Sequence, residues 1–186
     1  MFKYPLMKIN RHWLSQASRV PSPNYDERPI KGAMSLLVIH CISLPPEQFG
    51  GDYIDQLFCN RLNPDEHPYF KEIHQLRVSS HLLIKRGGEA VQYVPFNKRA
   101  WHAGVSEYRG QEKCNDFSIG IELEGSESQP YTAEQYQQLI AVTKVLIDHY
   151  PNLSVQHIVR HSDISPGRKT DPGETFDWEG FLSAIR

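Results

Sequence analysis

The chain has 186 residues, 39% hydrophobic and 23% charged, with 20 Lys and Arg against 22 Asp and Glu for a net charge of −2. That length and composition suit one domain with a core large enough to need no disulfides, and exclude a disordered or fibrous chain. The balanced charge lacks the basic footprint of a nucleic-acid binder or a polybasic membrane binder, and no apolar run approaches the ~18 residues of a membrane span.

In chain order, residues 1–34 read as an irregular segment that wraps a single domain spanning 1–186, with a turn-rich stretch from Pro21 to Pro29. The first residues carry no continuous apolar run and do not read as a signal peptide. Residues 35–42 (SLLVIHCI) are a near-continuous apolar run and predict a buried central strand, which Pro45 and Pro46 follow. Residues 52–62 place Tyr53, Leu57 and Phe58 at helical spacing behind an Asp52 N-cap. Residues 81–84 and 89–96 flank Arg86-Gly-Gly88 and predict a hairpin. Residues 117–123 (FSIGIEL) alternate as a strand, with Ser118, Gly120 and Glu122 opposite the apolar face.

Thr132 and Gln135 form a capping box that opens a long amphipathic helix, which Pro151 stops. Residues 155–159 predict a short strand running into Arg160-His161, and a last helix starts near Asp177. Strands mixed with helices imply an α/β domain with a central mixed β-sheet flanked by helices. Three widely spaced cysteines, Cys41, Cys59 and Cys114, read as free thiols in a reducing cytoplasm.

Nine histidines point toward metal or acid–base chemistry. His161 ends a strand, and Asp171 follows ten residues later across a Pro/Gly-rich loop. Imidazole and carboxylate are zinc ligand types, yet by spacing alone a surface loop using Asp and Gly for turns is the better reading. His40 closes the first core strand, where ligands gather in open α/β sheets. His40, His161 and Asp171 together would leave an open coordination position, the pattern of catalytic rather than structural zinc. Glu122 and Glu124 share a strand face, and the pattern does not choose between them. The His67, His74 and His81 series is broken by Pro68 and contains no HExxH. Cys41 neighbours His40 on a strand, so the two side chains face opposite ways and form no catalytic pair.

Several segments carry a resemblance. They are RVPSP from Arg19, LLVIH, ISLPPEQFGG, LRVSSHLLIKRGGEAVQYVPFNKRAWHAGVS, CNDFSIGIELEG, RKTDPG and FDW, spanning roughly residues 19–180. On these motifs the chain resembles the zinc-dependent N-acetylmuramoyl-L-alanine amidases, and within them the cytosolic AmpD type. The resemblance implies one Zn2+ per chain held by His40, His161 and Asp171. It implies Glu122, rather than Glu124, as acid/base and Lys169 as a second catalytic group. Tyr53, Arg77, Trp101, His102 and Asn115 fall in segments that line the family's substrate groove. The implied substrate is a small muropeptide cut between (1,6-anhydro-)N-acetylmuramic acid and L-alanine during cytoplasmic peptidoglycan recycling. A monomer is expected, with no nucleic-acid or membrane partner. The alternative is a peptidoglycan-binding module without catalysis, which would not need the complete set of five residues. Cys41 is a departure, because the AmpD type usually carries Asn there.

Overall fold

Six strands form the central sheet of the computed structural model, which describes residues 7–186. They are β1 (Ser18–Arg19), β2 (Leu36–Ile42), β3 (Leu82–Ile84), β4 (Ala90–Gln92), β5 (Ser118–Glu124) and β6 (Ile158–Arg160). Across the sheet the order is β6-β2-β5-β3-β4-β1. The first four of these run parallel, β4 turns back against β3, and β1 pairs parallel with β4. The sheet is mixed, as expected. The helices are α1 (Tyr53–Phe58), α2 (Phe70–Ile73), α3 (Ala133–His149), α4 (His161–Ile164) and α5 (Trp178–Ile185).

Both central strands are covered on both faces: β2 is a near-continuous apolar run, while β5 alternates Ile119, Ile121 and Leu123 with Ser118, Gly120 and Glu122. β5 is buried throughout, and β2 is buried from Leu36 to His40. On one face Leu37, Ile39, Ile119 and Ile121 pack against Leu139, Val142 and Leu146 of α3 and Phe181 of α5. Each such side chain, fully buried, contributes about 1.5–3 kcal/mol. On the other face Leu36 and Val38 meet Phe117, Val159 and Ile164. A third cluster joins Leu83 and Val91 to Leu57 and Phe58 of α1 and Phe70 of α2. The even-numbered face of β2 and β5 is the one that carries the chemistry described below.

Two of the three expected caps form; Asp52 stands at the N-cap of α1 but makes no side-chain cap hydrogen bond. Thr132 Oγ1 accepts from the Gln135 amide at 3.1 Å while Gln135 Oε1 accepts from the Thr132 amide at 3.1 Å, so the capping box closes at the start of α3. Asp177 caps α5 by accepting from Gly180 N at 2.9 Å. Gly88 takes the positive φ of +87° that the β3–β4 turn needs.

Three expectations shift. The predicted strand over 155–159 is a 3₁₀ turn over Val155–His157 followed by β6, and the loop expected at His161 opens with α4. The N-terminal wrap is more ordered than expected: β1 joins the sheet edge, Ile9–Asn10 pairs with Trp13–Leu14, and Tyr25–Asp26 pairs with Arg99–Ala100. The first six residues of that 1–34 segment, and with them part of the stretch read as lacking a signal peptide, lie outside the described residues.

Candidate metal centre and active site

His40 and Glu122 stand opposite each other in the parallel β2–β5 register. Neighbouring residues in register point to the same sheet face, so an imidazole and a carboxyl emerge side by side near the C-terminal ends of both strands. β6, on the other side of β2, delivers His161 as the first residue of α4. The following loop returns Asp171 to this point, held by Ser162 N donating to Asp171 O at 3.2 Å and Tyr131 Oη donating to Pro172 O at 2.8 Å.

Three ligating atoms converge. His40 Nδ1 lies 2.9 Å from His161 Nδ1 and 3.2 Å from Asp171 Oδ2, and His161 Nδ1 lies 3.1 Å from Asp171 Oδ2. A tetrahedron with bonds of about 2.0–2.1 Å has edges of about 3.3 Å, so this triangle fits one face of such a site. Two imidazoles and one carboxylate with no fourth protein donor are the donor set of a catalytic rather than a structural metal. This is the one His/Cys/Asp/Glu group among the described residues placed to hold a metal ion. Burial pushes His40 down to about 4, so its ring stays neutral and able to ligate. Burial raises the Asp171 carboxyl, but the adjoining His161 and His40 imidazoles outweigh it and hold the group well below the usual carboxylate range.

Glu122 is 8% exposed, and its Oε2 has no hydrogen-bond partner. Burial raises its carboxyl well above the usual range, Asp171 adds to the rise, and Lys169 offsets part of it. Glu124 differs. Its two oxygens accept from Gly50 N at 2.7 Å and Arg86 N at 3.0 Å, so its carboxylate is already engaged by the backbone. The triad, Glu122 and the exposed Lys169 all line one cavity of about 360 Å³, whose apolar wall includes Leu44, Phe58, Tyr69 and Trp101. A larger depression of about 740 Å³, beside Val105, Arg109 and Pro166, contains none of these groups.

The groove residues divide. Trp101 and His102 line the cavity. Tyr53 packs on Phe70 with ring centroids 4.8 Å apart, and exposed Arg77 donates to the backbone carbonyls of Gln75 and Leu76; neither lines the cavity. Asn115 also lies off the cavity, and its Oδ1 accepts from the amides of His102 and Ala103 at 3.1 and 2.8 Å. Cys41 packs with the α3 side of the sheet, opposite His40, and burial pushes its thiol up to about 12. His81 is fully buried and accepts from Gly120 N at 3.0 Å, away from His67 and His74.

Sequence reasoning overlooked Gly120 and Tyr131. A Cβ on Gly120 would stand 2.5 Å from the His102 ring, and one on Gly125 would stand 2.5 Å from the Tyr131 ring. A glycine inside a strand pattern is itself the signal of such a close approach.

The family model for N-acetylmuramoyl-L-alanine amidase matches residues 30–174. The chain belongs to this amidase family. It is 59% identical over 175 residues to the 1,6-anhydro-N-acetylmuramyl-L-alanine amidase AmpD of Escherichia coli, covering 94% of this chain and 95% of that protein. It is 56% identical over 178 residues to AmpD of Haemophilus influenzae, covering 96% and 97%. A crystal structure of AmpD superposes with a TM-score of 0.93 at 56% identity, covering 97% of this chain and all of that one. A complex of Escherichia coli AmiD with anhydro-N-acetylmuramic acid-L-Ala-D-gamma-Glu-L-Lys superposes with a TM-score of 0.62 at 27% identity, covering 96% of this chain and 65% of that one.

Proposed function

We propose that this amidase is zinc-dependent and cleaves the amide between 1,6-anhydro-N-acetylmuramic acid and L-alanine in muropeptides, in cytoplasmic peptidoglycan recycling. The observation that carries the reading is a buried carboxyl with a free oxygen, Glu122, sharing one cavity with a three-donor metal site. His40, His161 and Asp171 would hold the ion. Bound Zn2+ polarises an amide carbonyl and lowers the pKa of water to about 7.

Glu122 takes the proton of the attacking water. Its raised affinity for a proton suits it to keep that proton until the nitrogen of L-alanine leaves, and then to deliver it there. Lys169 presents a cation at the same cavity, where it offsets the negative charge developing on the carbonyl oxygen; removing one such donor costs about 3–4 kcal/mol in comparable sites. Trp101 and the apolar wall exclude water from the scissile bond. A module that only binds has no use for an unpaired buried carboxyl, whose desolvation is costly. Free thiols and the absence, among the described residues, of any helix long and apolar enough to cross a membrane are compatible with the cytoplasmic reading.

Mass spectrometry of products from a purified anhydro-muropeptide, with and without chelator, tests this. Free peptide beginning with L-alanine and the anhydro sugar should appear without chelator and not with it. Cleavage that survives complete metal removal would overturn the metal role, and an intact substrate in both arms would overturn the activity.

A further inference from the structure

An imidazole that ligates a metal must present one bare nitrogen, and the hydrogen-bond partner of the other nitrogen decides which one it is. For His161 the partner is a backbone carbonyl. Nε2 lies 3.1 Å from Ala103 O, which can only accept, while Arg168 Nη2 stands farther off at 3.5 Å and donates to that same carbonyl at 2.6 Å, so Nε2 carries the hydrogen and Nδ1 faces Asp171 bare. For His40 the partner is the adjacent side chain. Nε2 lies 2.9 Å from His102 Nδ1. With His40 Nδ1 turned into the triad, its Nε2–H donates to His102 Nδ1. His102 Nε2 then carries its own hydrogen and donates to Ser118 Oγ at 3.1 Å.

One dipeptide therefore serves both imidazoles, through the side chain of His102 and the carbonyl of Ala103. Its placement is built in. Asn115 Oδ1 accepts from both of its amides. Gly120 leaves the room the His102 ring occupies: an added Cβ would meet the ring at 2.5 Å, and Gly120 has no positive φ that would require glycine for backbone reasons. Both ring nitrogens of His102 are engaged within the protein, which leaves neither free to bind substrate.

We propose that His102-Ala103 is the bracket that sets the tautomers of both imidazole ligands, and that His102 is a positioning residue for His40 rather than a substrate contact. This rests on the reading of His40, His161 and Asp171 as a zinc site, and the experiment separates the two. Zinc affinity is measured by competition with a chromophoric chelator at fixed pH, on wild type, His102→Asn, His102→Leu and Gly120→Ala. An Asn carbonyl oxygen stands where the imidazole Nδ1 stands, so it still accepts from His40; Leu fills the space and accepts nothing. His102→Leu and Gly120→Ala are expected to weaken zinc about 10–100-fold, the usual weight of such a partner, while His102→Asn stays near wild type. His102→Ala repeats the comparison without the bulk, and circular dichroism of the metal-free proteins checks that each is folded.

Leu and Asn variants that bind zinc equally, whether tightly or weakly, would overturn the tautomer role. So would a His102→Leu protein with unchanged zinc affinity and a raised KM at saturating zinc, which is the signature of a substrate contact. Wild type that binds no zinc would instead overturn the metal site itself, and the bracket with it.

Discussion

Glu122 and Glu124 sit two positions apart on one face of β5 and act on different things. One has an oxygen without a partner in the cavity, and the other is clasped by the amides of Gly50 and Arg86. Glu122→Gln should therefore keep its metal and lose about 10²–10⁴ in kcat, the usual weight of a general acid/base. Glu124→Gln should keep turnover near wild type. Its amide has one acceptor for two donors, so one backbone N–H is orphaned at a cost of about 1–3 kcal/mol. Steady-state kinetics and amide hydrogen exchange at Gly50 and Arg86 separate the two variants; equal losses of kcat would reverse the assignment. Alternation alone could not make this distinction, because it puts both carboxyls on one face and only the folded positions of Gly50 and Arg86 tell them apart. The opposite facing of His40 and Cys41, by contrast, was legible directly from strand geometry. His81 supplies a pH prediction. Burial, and then the nearby charge of Arg28, push its imidazole from 6.5 down to about 3. Above pH 6.5 both folded and unfolded chains leave it neutral. As pH falls below that, the unfolded chain takes a proton that the folded ring refuses, and stability drops until about pH 3. His81→Asn keeps an acceptor for Gly120 N and removes the titration. Denaturant midpoints between pH 7 and pH 4 should fall less steeply for the variant, and parallel profiles would refute the role of this ring.

The N-terminus of α3 is an element whose effect reaches beyond its own first turn. Gln135 completes the capping box and also donates through Nε2 to Ile84 O at 3.2 Å and Glu124 O at 2.9 Å, tying the helix to the ends of β3 and β5. Thr132 Oγ1 further donates to Arg86 O at 2.7 Å. Thr132→Ala should cost about 1 kcal/mol, as a lost cap does. Gln135→Ala loses its half of the box and leaves two buried strand carbonyls without this donor, so it should cost more, about 2–3 kcal/mol. Urea unfolding of both variants measures the order, and a larger loss at Thr132 would contradict it. The box itself was readable because S/T-x-x-Q is a local signal. Strand 35–42 was readable because a near-continuous apolar run demands cover on both faces, and strand 117–123 because its apolar residues alternate. The elements α2 and α4 and the N-terminal ribbons, two to four residues each, were not. They contain too little chain for any periodicity, and tertiary hydrogen bonds decide them. The turn over Val155–His157 runs directly into β6 at Ile158, and no Gly or Pro separates the two in the sequence.

At the scale of the whole molecule the candidate metal donors come from places far apart in the chain: β2, the start of α4 and the loop beyond it. Their meeting depends on the order β6-β2-β5, which no local pattern encodes; a strand-end His40 and the His161–Asp171 loop suggest the three-donor set from residue types alone, and the resemblance to the amidases selects it over a surface loop. The supports of these donors are unequal. His40 stands on a buried strand whose neighbours Ile39 and Val38 are fully enclosed. Asp171 ends an exposed run from Pro166 to Thr170. That run is held by Arg168 Nη2 on the carbonyls of Ala103 and Val105 at 2.6 and 2.8 Å and by Thr170 Oγ1 on Glu127 Oε1 at 2.6 Å, and just beyond it by Ser162 N on Asp171 O at 3.2 Å and Tyr131 Oη on Pro172 O at 2.8 Å. A bound ion adds a link between that loop and the sheet, so removing it should loosen the loop far more than the strand. Because the ion binds only the folded chain, free zinc at a hundred times its Kd should stabilise the protein by about 2.7 kcal/mol. Thermal unfolding against free zinc measures the total. Hydrogen exchange with and without chelator locates it: amides from 162 to 173 should exchange faster without metal, while those of β2 and β5 keep their protection. Loss of protection spread evenly over the sheet would mean that the metal supports the core itself, and that the loop is not the weaker of its two anchors.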